Sequence, residues 1–316
     1  MRHVSDQTMD EFEQRQVRLD LQRGVGGSEA LAYCGKDPRC TELELYERKI
    51  NPPTGDAPLD DDPRRAWGRR LEPIVREWLE EELDRRIIKP MEMLRSKTVP
   101  MMIAHVDGIT EATRAYDPEG VEIKTADRFM AQEFGQVETD QIPVRYILQV
   151  THYMVVTGLK RFHIGALVGG NDARHYVVDF DPELAGMLIA KARLFWSHVE
   201  KRTPPEPTTL ADTVRRWPRS LESSVVATPN IIEAIRELKT LRADERHASE
   251  KADAIEVTLK AFMADNAAVT DGTHQILATW RSQSRTSFDV GRFTHDHPEF
   301  TDAYKRTSQF RVFRLK

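Results

Sequence analysis

The sequence has few cysteines and no long apolar run. Its 316 residues include two cysteines, Cys34 and Cys40, which form no CxxC pair. This excludes a sulfur-ligated iron cluster and a structural zinc site, so we interpret both as free buried thiols. No stretch approaches the ~18 uninterrupted apolar residues of a membrane-spanning helix. The polar residues 1–16 lack the apolar centre of a secretion signal. We therefore expect a cytoplasmic protein without membrane contact.

The sequence also lacks an excess of positive charge. It has 46 Lys and Arg against 51 Asp and Glu, which gives a net charge of -5 and a pI near 6.1. Overall charge therefore neither indicates nor excludes a nucleic-acid-binding protein, because such proteins need a basic surface only locally. One local cluster contains Arg64, Arg65, Arg69 and Arg70 around Trp67. It is either a solvated helix face or a phosphate-binding surface.

Helices and strands alternate through the first two thirds of the chain, which predicts an α/β (α+β) fold. The predicted helices lie at 28–33, 41–50, 65–83, 143–157 and 182–202. The predicted strands lie at 86–95, 99–110, 120–126, 161–168 and 173–180. Gly158 is placed to end a helix in the left-handed conformation.

Five of the seventeen prolines fall within 203–229 and predict a connector. It separates a core domain, 1–202, from a C-terminal region, 230–316. That region begins with apolar residues from Ile231 to Phe262 at spacings of four, three, ten, four, three, four and three, which predict a helical arm or hairpin. The arm either contacts another subunit or partner, or packs on its own domain. Two β-like segments, 274–283 and 286–293, a short helix and a basic end follow.

The hairpin predicted at 99–126 brings chemically informative side chains together. Asp107 ends an apolar strand, and Glu122 and Lys124 share one face of the next strand because side chains alternate. If the turn at 117–120 pairs these strands, Asp107 lies beside Glu122. Two close carboxylates repel each other, so one retains its proton near neutral pH unless a divalent cation neutralises both. Oxygen ligands favour Mg²⁺ or Mn²⁺.

A lysine beside such a cation has two possible roles. Lys124 could orient and deprotonate an attacking water, or stabilise charge on a phosphorane-like transition state. The Glu-x-Lys pattern alone is also typical of an ion pair on an amphipathic strand.

Two predicted helices carry further candidates. Glu72, on the helix before the strands, could supply a third carboxylate or be an ordinary surface residue. Gln149, His152 and Tyr153 share one helix face because they are three and four residues apart. They form either a polar face for phosphate and water or a helix surface beside a core tyrosine. Earlier, the glycine-rich segment 24–27 opens a helix that Ser28 could cap, with an anion site at its N-terminus.

Several short segments occur in a characteristic order: 26–30, 41–46, 68–72, 106–108, 122–125 and 149–154. In order and spacing they resemble the phage-type exonucleases of the YqaJ-like viral recombinase and lambda exonuclease group, within the PD-(D/E)xK nuclease superfamily. The resemblance covers about 24–207, and the C-terminal region is a weaker match. It implies a nuclease core with a mixed central sheet flanked by helices.

The resemblance also implies roles for individual residues. Asp107, Glu122, Glu72 and the carbonyl of Ile123 would surround the metal ion, Lys124 would be the catalytic lysine, and Gln149 would complete the site. Ser28 would hold the 5′-phosphate of the degraded strand, with Arg23 and Tyr153 as further DNA or phosphate contacts. The family usually has an arginine about seven positions before this serine, but this sequence has Leu21 there. Arg23 or Arg18 would have to substitute, which puts the preference for 5′-phosphorylated ends in doubt.

Members of the group digest one strand of linear duplex DNA from its 5′ end. They often assemble as rings and pass the exposed 3′ strand to a single-strand annealing protein. The sequence therefore predicts a Mg²⁺-dependent 5′-to-3′ exonuclease, forming a ring-shaped homo-oligomer, in the cytoplasm of a bacterial host. Two other functions stay open: a structure-specific or restriction-like endonuclease on the same core, and a non-catalytic DNA-binding recombination scaffold.

Overall fold

A computed structural model describes residues 14–52 and 62–316. The polar residues 1–13, on which the prediction of no secretion signal largely rests, lie outside the described residues. The chain divides into two compact units, Met1–Arg216 and Trp217–Lys316. This boundary falls within the predicted connector, 203–229.

The main sheet of the first unit has five strands. They are β2 (Ile87–Ile88), β5 (Gly108–Thr110), β6 (Gly120–Ala126), β7 (Arg161–Val168) and β8 (Asp172–Asp179), in the order β2-β5-β6-β7-β8. Strands β6 and β7 are parallel, and all other neighbours are antiparallel. The mixed sheet and the β5–β6 hairpin are confirmed.

A second sheet of three short strands lies beside the site described below. It contains β1 (Val25–Gly26), β3 (Leu94–Arg95) and β4 (Met102–Ala104), in the order β1-β4-β3. The predicted strands 86–95 and 99–110 were therefore wrong as single strands, because each divides between the two sheets. Pro90 lacks the N–H group that would continue the strand at 86–95. The apolar pattern at 99–110 gives no sign of the break between β4 and β5, because Ala104 and Val106, on either side of it, are both apolar and buried.

Seven helices surround these sheets in the described residues of the first unit. They are α1 (described over 14–20), α2 (Ala30–Tyr33), α3 (Glu42–Ile50), α4 (Pro63–Leu83), α5 (Val144–Thr157), α6 (Pro182–Lys201) and α7 (Leu210–Arg216). Helix α5 ends at Gly158 with φ of 80°, as predicted. Helix α7 was not predicted. It lies in the supposed connector and attaches to the core through buried Asp212, which accepts a hydrogen bond from Thr41 Oγ1 at 2.7 Å.

The sheet separates two packed layers. Val75 and Leu79 of α4 pack against Val121 and Ile123 on one face of the sheet. The larger hydrophobic core includes side chains of α5, α6 and β7, among them Val150, Phe195 and Phe162. Because Val121 and Ile123 face α4, Glu122 and Lys124 point away from it, toward α5.

The second unit is mainly one long helix. Helix α8 (Pro229–Met263) has 35 residues and no break, so the predicted arm is a single helix and not a hairpin. Strands β9 (Ala268–Thr270) and β10 (Ile276–Thr279) form an antiparallel pair, followed by α9 (Val290–Asp296) and α10 (Pro298–Tyr304). The β-like prediction for 286–293 was wrong, because this segment contains no strand and its second half belongs to α9, which Asp289 caps by accepting a hydrogen bond from the Arg292 N–H.

None of the described helices combines the length and apolar character needed to cross a bilayer.

Candidate active site

A cleft of about 380 Å³ opens in the first unit where the two sheets meet. Its lining includes the glycine-rich turn after β1, helix α4, the β5–β6 hairpin and helix α5, together with Val17, Leu21, Ile103 and His105. Segments far apart in sequence thus converge on one concave surface. This is the usual form of a site for a small group or a chain end.

The β5–β6 hairpin carries the acidic part of this cleft. Gly108 pairs with Val121, so the antiparallel register places Asp107 opposite Glu122. Asp107 Oδ2 accepts a hydrogen bond from the Ile123 N–H at 2.8 Å, and both carboxylates line the cleft. The predicted grouping of Asp107, Glu122 and Lys124 is therefore what the structure has.

Only one of the two carboxylate oxygens of Glu122 has hydrogen-bond partners among the described residues. Its Oε1 accepts hydrogen bonds from the Lys124 ammonium and, at 2.6 Å, from the Gln149 amide. Its Oε2 is buried and has no hydrogen-bond partner among the described residues. An unpaired carboxylate oxygen in the interior is costly, so this atom is a natural ligand for a cation.

Burial and mutual repulsion perturb the charges of the cleft. Burial and then the nearby Glu122 raise the pKa of Asp107 to about 7. Burial also raises the pKa of Glu122, although Lys124 opposes this shift. Burial alone would lower the pKa of Lys124, but the two carboxylates outweigh it and raise that pKa. The cleft therefore favours a cation close to both acidic groups.

Glu72 faces the cleft from α4 but is held by cations. Its Oε1 lies 3.0 Å from Lys89 Nζ and 3.6 Å from Arg76 Nη2, and Arg76 also donates to the Asp107 carbonyl at 3.2 Å. Burial and then the Asp107 charge raise the pKa of Glu72. Among the described residues, no three His, Cys, Asp or Glu side chains converge as a metal-binding group. Glu72 as a metal ligand stays a prediction.

Helix α5 contributes two of its three predicted polar residues. Gln149 bridges Glu122 and Tyr153, because its Nε2 also lies 2.9 Å from Tyr153 Oη, and both residues line the cleft. His152 belongs to the core instead. Its ring nitrogens lie 2.9 Å from Tyr33 Oη and 2.9 Å from the Ile103 carbonyl, and burial lowers its pKa to about 4. The prediction that His152 shares a polar face with Gln149 and Tyr153 was therefore wrong.

The glycine-rich turn places Ser28 in the cleft, but not as a helix cap. Ser28 is exposed within a 3₁₀ turn (Gly27–Glu29), and α2 has no side-chain cap. Glu29 instead accepts a hydrogen bond from the Gly26 N–H at 2.9 Å. Buried Lys49 fixes Glu29 from α3, with its ammonium 2.7 Å from both carboxylate oxygens. The serine hydroxyl is thereby left facing the cleft.

The predicted terminal-phosphate residues are separated. Leu21 lines the cleft, whereas Arg23 is exposed and is not among the lining residues. The lining arginines are Arg65 and Arg69 of α4. Their spacing from Glu72, seven and three residues, puts all three on one helix face, and this signal was present in the sequence.

With this geometry established, the chain can be compared with known proteins. Residues 16–160 match the YqaJ-like viral recombinase domain family. The chain is also similar, with 24% identity over 308 residues, to the uncharacterized protein YqaJ of Bacillus subtilis (strain 168), a match that covers 94% of this chain and 92% of that protein.

Two solved structures are also similar. The alkaline exonuclease LHK-Exo of Laribacter hongkongensis matches with 14% identity and a TM-score of 0.47, over 63% of this chain and 94% of that one. A phage-related exonuclease of Haemophilus somnus 129PT matches with 11% identity and a TM-score of 0.42, over 57% of this chain and 96% of that one.

The first unit contains site residues that sequence reasoning missed. Lys89 and Arg76 hold Glu72, and Lys49 holds the turn that carries Ser28. No local pattern marks Lys89 or Lys49, because each meets its carboxylate only through the tertiary fold. Arg76 is four residues from Glu72 on α4, so helical spacing could have identified it.

The close packing of Gly27 against α5 is testable. A Cβ atom at Gly27 would lie 2.5 Å from Tyr153 Cε1 and 2.9 Å from the Gln149 carbonyl oxygen. We expect Gly27→Ala to lower the free energy of unfolding by about 1–3 kcal/mol, because this backbone cannot move away from α5 without loss of packing. Thermal or denaturant unfolding would measure the change.

Gly186→Ala is the matched control. Gly186 lies in α6, and an added Cβ would have no neighbour within 4 Å. This variant should be neutral or slightly stabilising, because alanine favours a helix more than glycine does. Equal stability of the two variants would contradict the packing argument.

Proposed function

We propose that this protein is a divalent-metal-dependent exonuclease that digests linear duplex DNA from its 5′ ends and leaves 3′ single-stranded overhangs for recombination. The observation that carries the proposal is the grouping of Asp107, Glu122 and Lys124, with an unpaired buried oxygen on Glu122. Packing does not require this grouping, but phosphodiester hydrolysis does, because negative charge accumulates on the phosphate during the reaction.

The residues present fit Mg²⁺, with Mn²⁺ as a substitute. Carboxylate and carbonyl oxygens are the ligands these ions prefer, and a cation would satisfy Glu122 Oε2. Asp107, Glu122 and the Ile123 carbonyl would hold the ion, with Glu72 as a further or water-mediated ligand. When bound, such an ion polarises the phosphate and lowers the pKa of an attacking water.

The other side chains bind and orient the substrate. The Lys124 ammonium would stabilise the charge that develops on the phosphate oxygens. Gln149 would keep Glu122 oriented through its hydrogen bond to Oε1 and would itself be aligned by Tyr153. Tyr153 accepts the Gln149 hydrogen bond through its hydroxyl oxygen, so its own O–H group could still donate to a phosphate.

The 5′-terminal phosphate would lie between Ser28 and the α4 arginines. Ser28, Arg65 and Arg69 line the same cleft, whereas Arg23 does not. Arginine suits this purpose because its planar group donates two parallel hydrogen bonds to a phosphate. The α4 arginines would thus supply the positive charge that Leu21 cannot. Loss of preference for 5′-phosphorylated over 5′-hydroxyl duplex in Arg69→Ala would support this assignment.

The recombination role makes further partners part of the proposal. An exonuclease that exposes 3′ strands would act with a single-strand annealing protein, and a homo-oligomeric ring would retain the duplex during digestion. The protein would meet the annealing protein, and assemble with its own copies, in the cytoplasm of a bacterial host.

The substrate topology distinguishes the three candidate functions. We expect Mg²⁺-dependent loss of linear duplex from its 5′ ends and no cleavage of a covalently closed circle, because the cleft would require a free end. The measurement uses 5′-labelled and 3′-labelled linear duplexes beside closed and nicked circles.

Each other outcome has a defined meaning. Cleavage of the closed circle would instead indicate an endonuclease. Binding without metal-dependent cleavage of any substrate would indicate the scaffold. An Asp107→Asn preparation serves as the control for contaminating nucleases, since it should be inactive on every substrate.

A further inference from the structure

Helix α8 presents a continuous apolar stripe to solvent. Alternating steps of three and four residues define ten positions on it: Ile231, Ala234, Leu238, Leu241, Glu245, Ala248, Ala252, Ile255, Leu259 and Phe262. Nine of the ten are apolar, as in the a and d positions of a coiled coil. Of its six large members, Leu238 is half-buried and the other five are exposed, from 48% for Leu259 to 76% for Phe262.

The period of this stripe indicates what covers it. A straight α-helix drifts by ~20° per heptad from a strict seven-residue repeat, so a stripe kept over more than four heptads requires a supercoiled helical partner of similar length. Within the described residues, the next longest helices are α4 and α6, with 21 and 20 residues, and both pack in the first unit. A second copy of α8 matches the length.

We propose that α8 forms an antiparallel two-helix coiled coil with α8 of a second copy of this chain. In the antiparallel register that aligns the full stripe, Leu238 faces Ile255 of the second copy, and Leu241 faces Ala252. Glu245, the one charged member, then faces Ala248. A parallel pair would instead place two Glu245 carboxylates against each other in the seam, which is unfavourable.

The flanking charges agree with this arrangement. Asp244 and Lys251 occupy equivalent flanking positions, and the antiparallel register brings Asp244 of one copy beside Lys251 of the other, twice by symmetry. The positions on the opposite side of α8 include Lys239, Arg246, Glu250 and Asp253, which suit solvent. This contact is isologous and closes with two copies.

Disulfide trapping tests the pairing and its direction. In full-length protein with Cys34→Ala and Cys40→Ala, the double variant Leu238→Cys/Ile255→Cys should form intermolecular disulfides under mild oxidation. Leu241→Cys alone should not, because antiparallel helices place the two copies of residue 241 about 16 Å apart along the axis. Crosslinking of Leu241→Cys, or none in the double variant, would overturn the proposal.

Charge insertion tests the apolar seam. Leu241→Lys/Ile255→Lys should raise the dimer Kd by at least about 100-fold, measured by analytical ultracentrifugation. Ala243→Lys/Val257→Lys is the matched control, because it adds the same charge on the opposite face. If the seam variant and this control have the same mass distribution, the proposal fails. A parent chain that stays monomeric into the millimolar range would also overturn it.

A variant that should strengthen the dimer gives a result that loss of folding cannot explain. Glu245→Leu replaces the charged seam position and should lower the dimer Kd by about 10-fold. Glu250→Leu, on the solvent face, should leave the Kd unchanged. Equal effects of the two substitutions would show that the stripe is not the contact.

Discussion

Lys124→Ala should slow the digestion of linear duplex DNA by about 10²–10³-fold, because the variant lacks the ammonium that would stabilise charge on the transferred phosphate. The ammonium is hydrogen bonded to Glu122 and lies 5.3 Å from the centre of the Tyr146 ring, so two neighbouring side chains hold it in place. Initial rates on end-labelled duplex at saturating Mg²⁺ would measure the loss.

Two controls make this result specific. Lys201→Ala removes an exposed lysine of α6 and should retain full activity. The melting temperature of Lys124→Ala should stay within a few degrees of that of the parent, which separates lost chemistry from lost folding. A fully active Lys124→Ala enzyme would refute the catalytic assignment.

Asp107→Asn should abolish the stabilising effect of metal ions. Mg²⁺ or Ca²⁺ binds only the folded site and should raise the melting temperature of the parent, by an amount that grows with the ratio of ion concentration to Kd. The variant keeps an oxygen that can accept the hydrogen bond from the Ile123 N–H but loses the charge, so its melting temperature should barely respond. Thermal unfolding with chelator and with each ion would show the difference.

The same variant should be the more stable protein without metal at pH 8. The pKa of Asp107 is about 7 in the folded protein against an ordinary value of 3.8. Between these values the folded state binds more protons than the unfolded state, so the free energy of unfolding falls as the pH rises from about 4 to 7. Above pH 7 the parent carries this penalty fully, and asparagine removes it.

The pH dependence provides the internal check. At pH 5 the parent carboxyl is already protonated in the folded state, so the advantage of Asp107→Asn should be much smaller than at pH 8. Asp179→Asn is the control, because Asp179 is exposed and bonded to Arg161, which lowers its pKa. Equal shifts for the two variants, or an advantage for Asp107→Asn at pH 5 only, would contradict the account.

The central motif could be predicted because it depends on local rules. Side-chain alternation placed Glu122 and Lys124 on one face, and the short connection between β5 and β6 placed Asp107 opposite Glu122. The end of α5 at Gly158 followed from a capping preference in the same way. Each of these needs only a few consecutive residues.

Other assignments failed where distant segments compete for one residue. His152 has the spacing of a cleft residue, but Tyr33 and the Ile103 carbonyl bind both ring nitrogens in the core. Ser28 has the sequence position of a cap, but Glu29 takes the N–H of Gly26 and leaves the serine facing the cleft. The apolar run through Ala104 and Val106 spans two sheets, which a burial pattern alone cannot reveal.

Sequence alone determined the mixed helix and strand order, the acidic hairpin with its lysine, and the helical character of α8, because each depends on side-chain periodicity and on segments close together in the chain. Tertiary structure decided which cations face the cleft. It placed the α4 face that carries Arg65 and Arg69 against the cleft, left Arg23 outside, and brought Lys89 and Lys49 to their carboxylates. The reason is physical: a charge in a partly buried cleft responds to whatever lies within a few ångströms, and that neighbourhood forms only when the two sheets and α4 pack together.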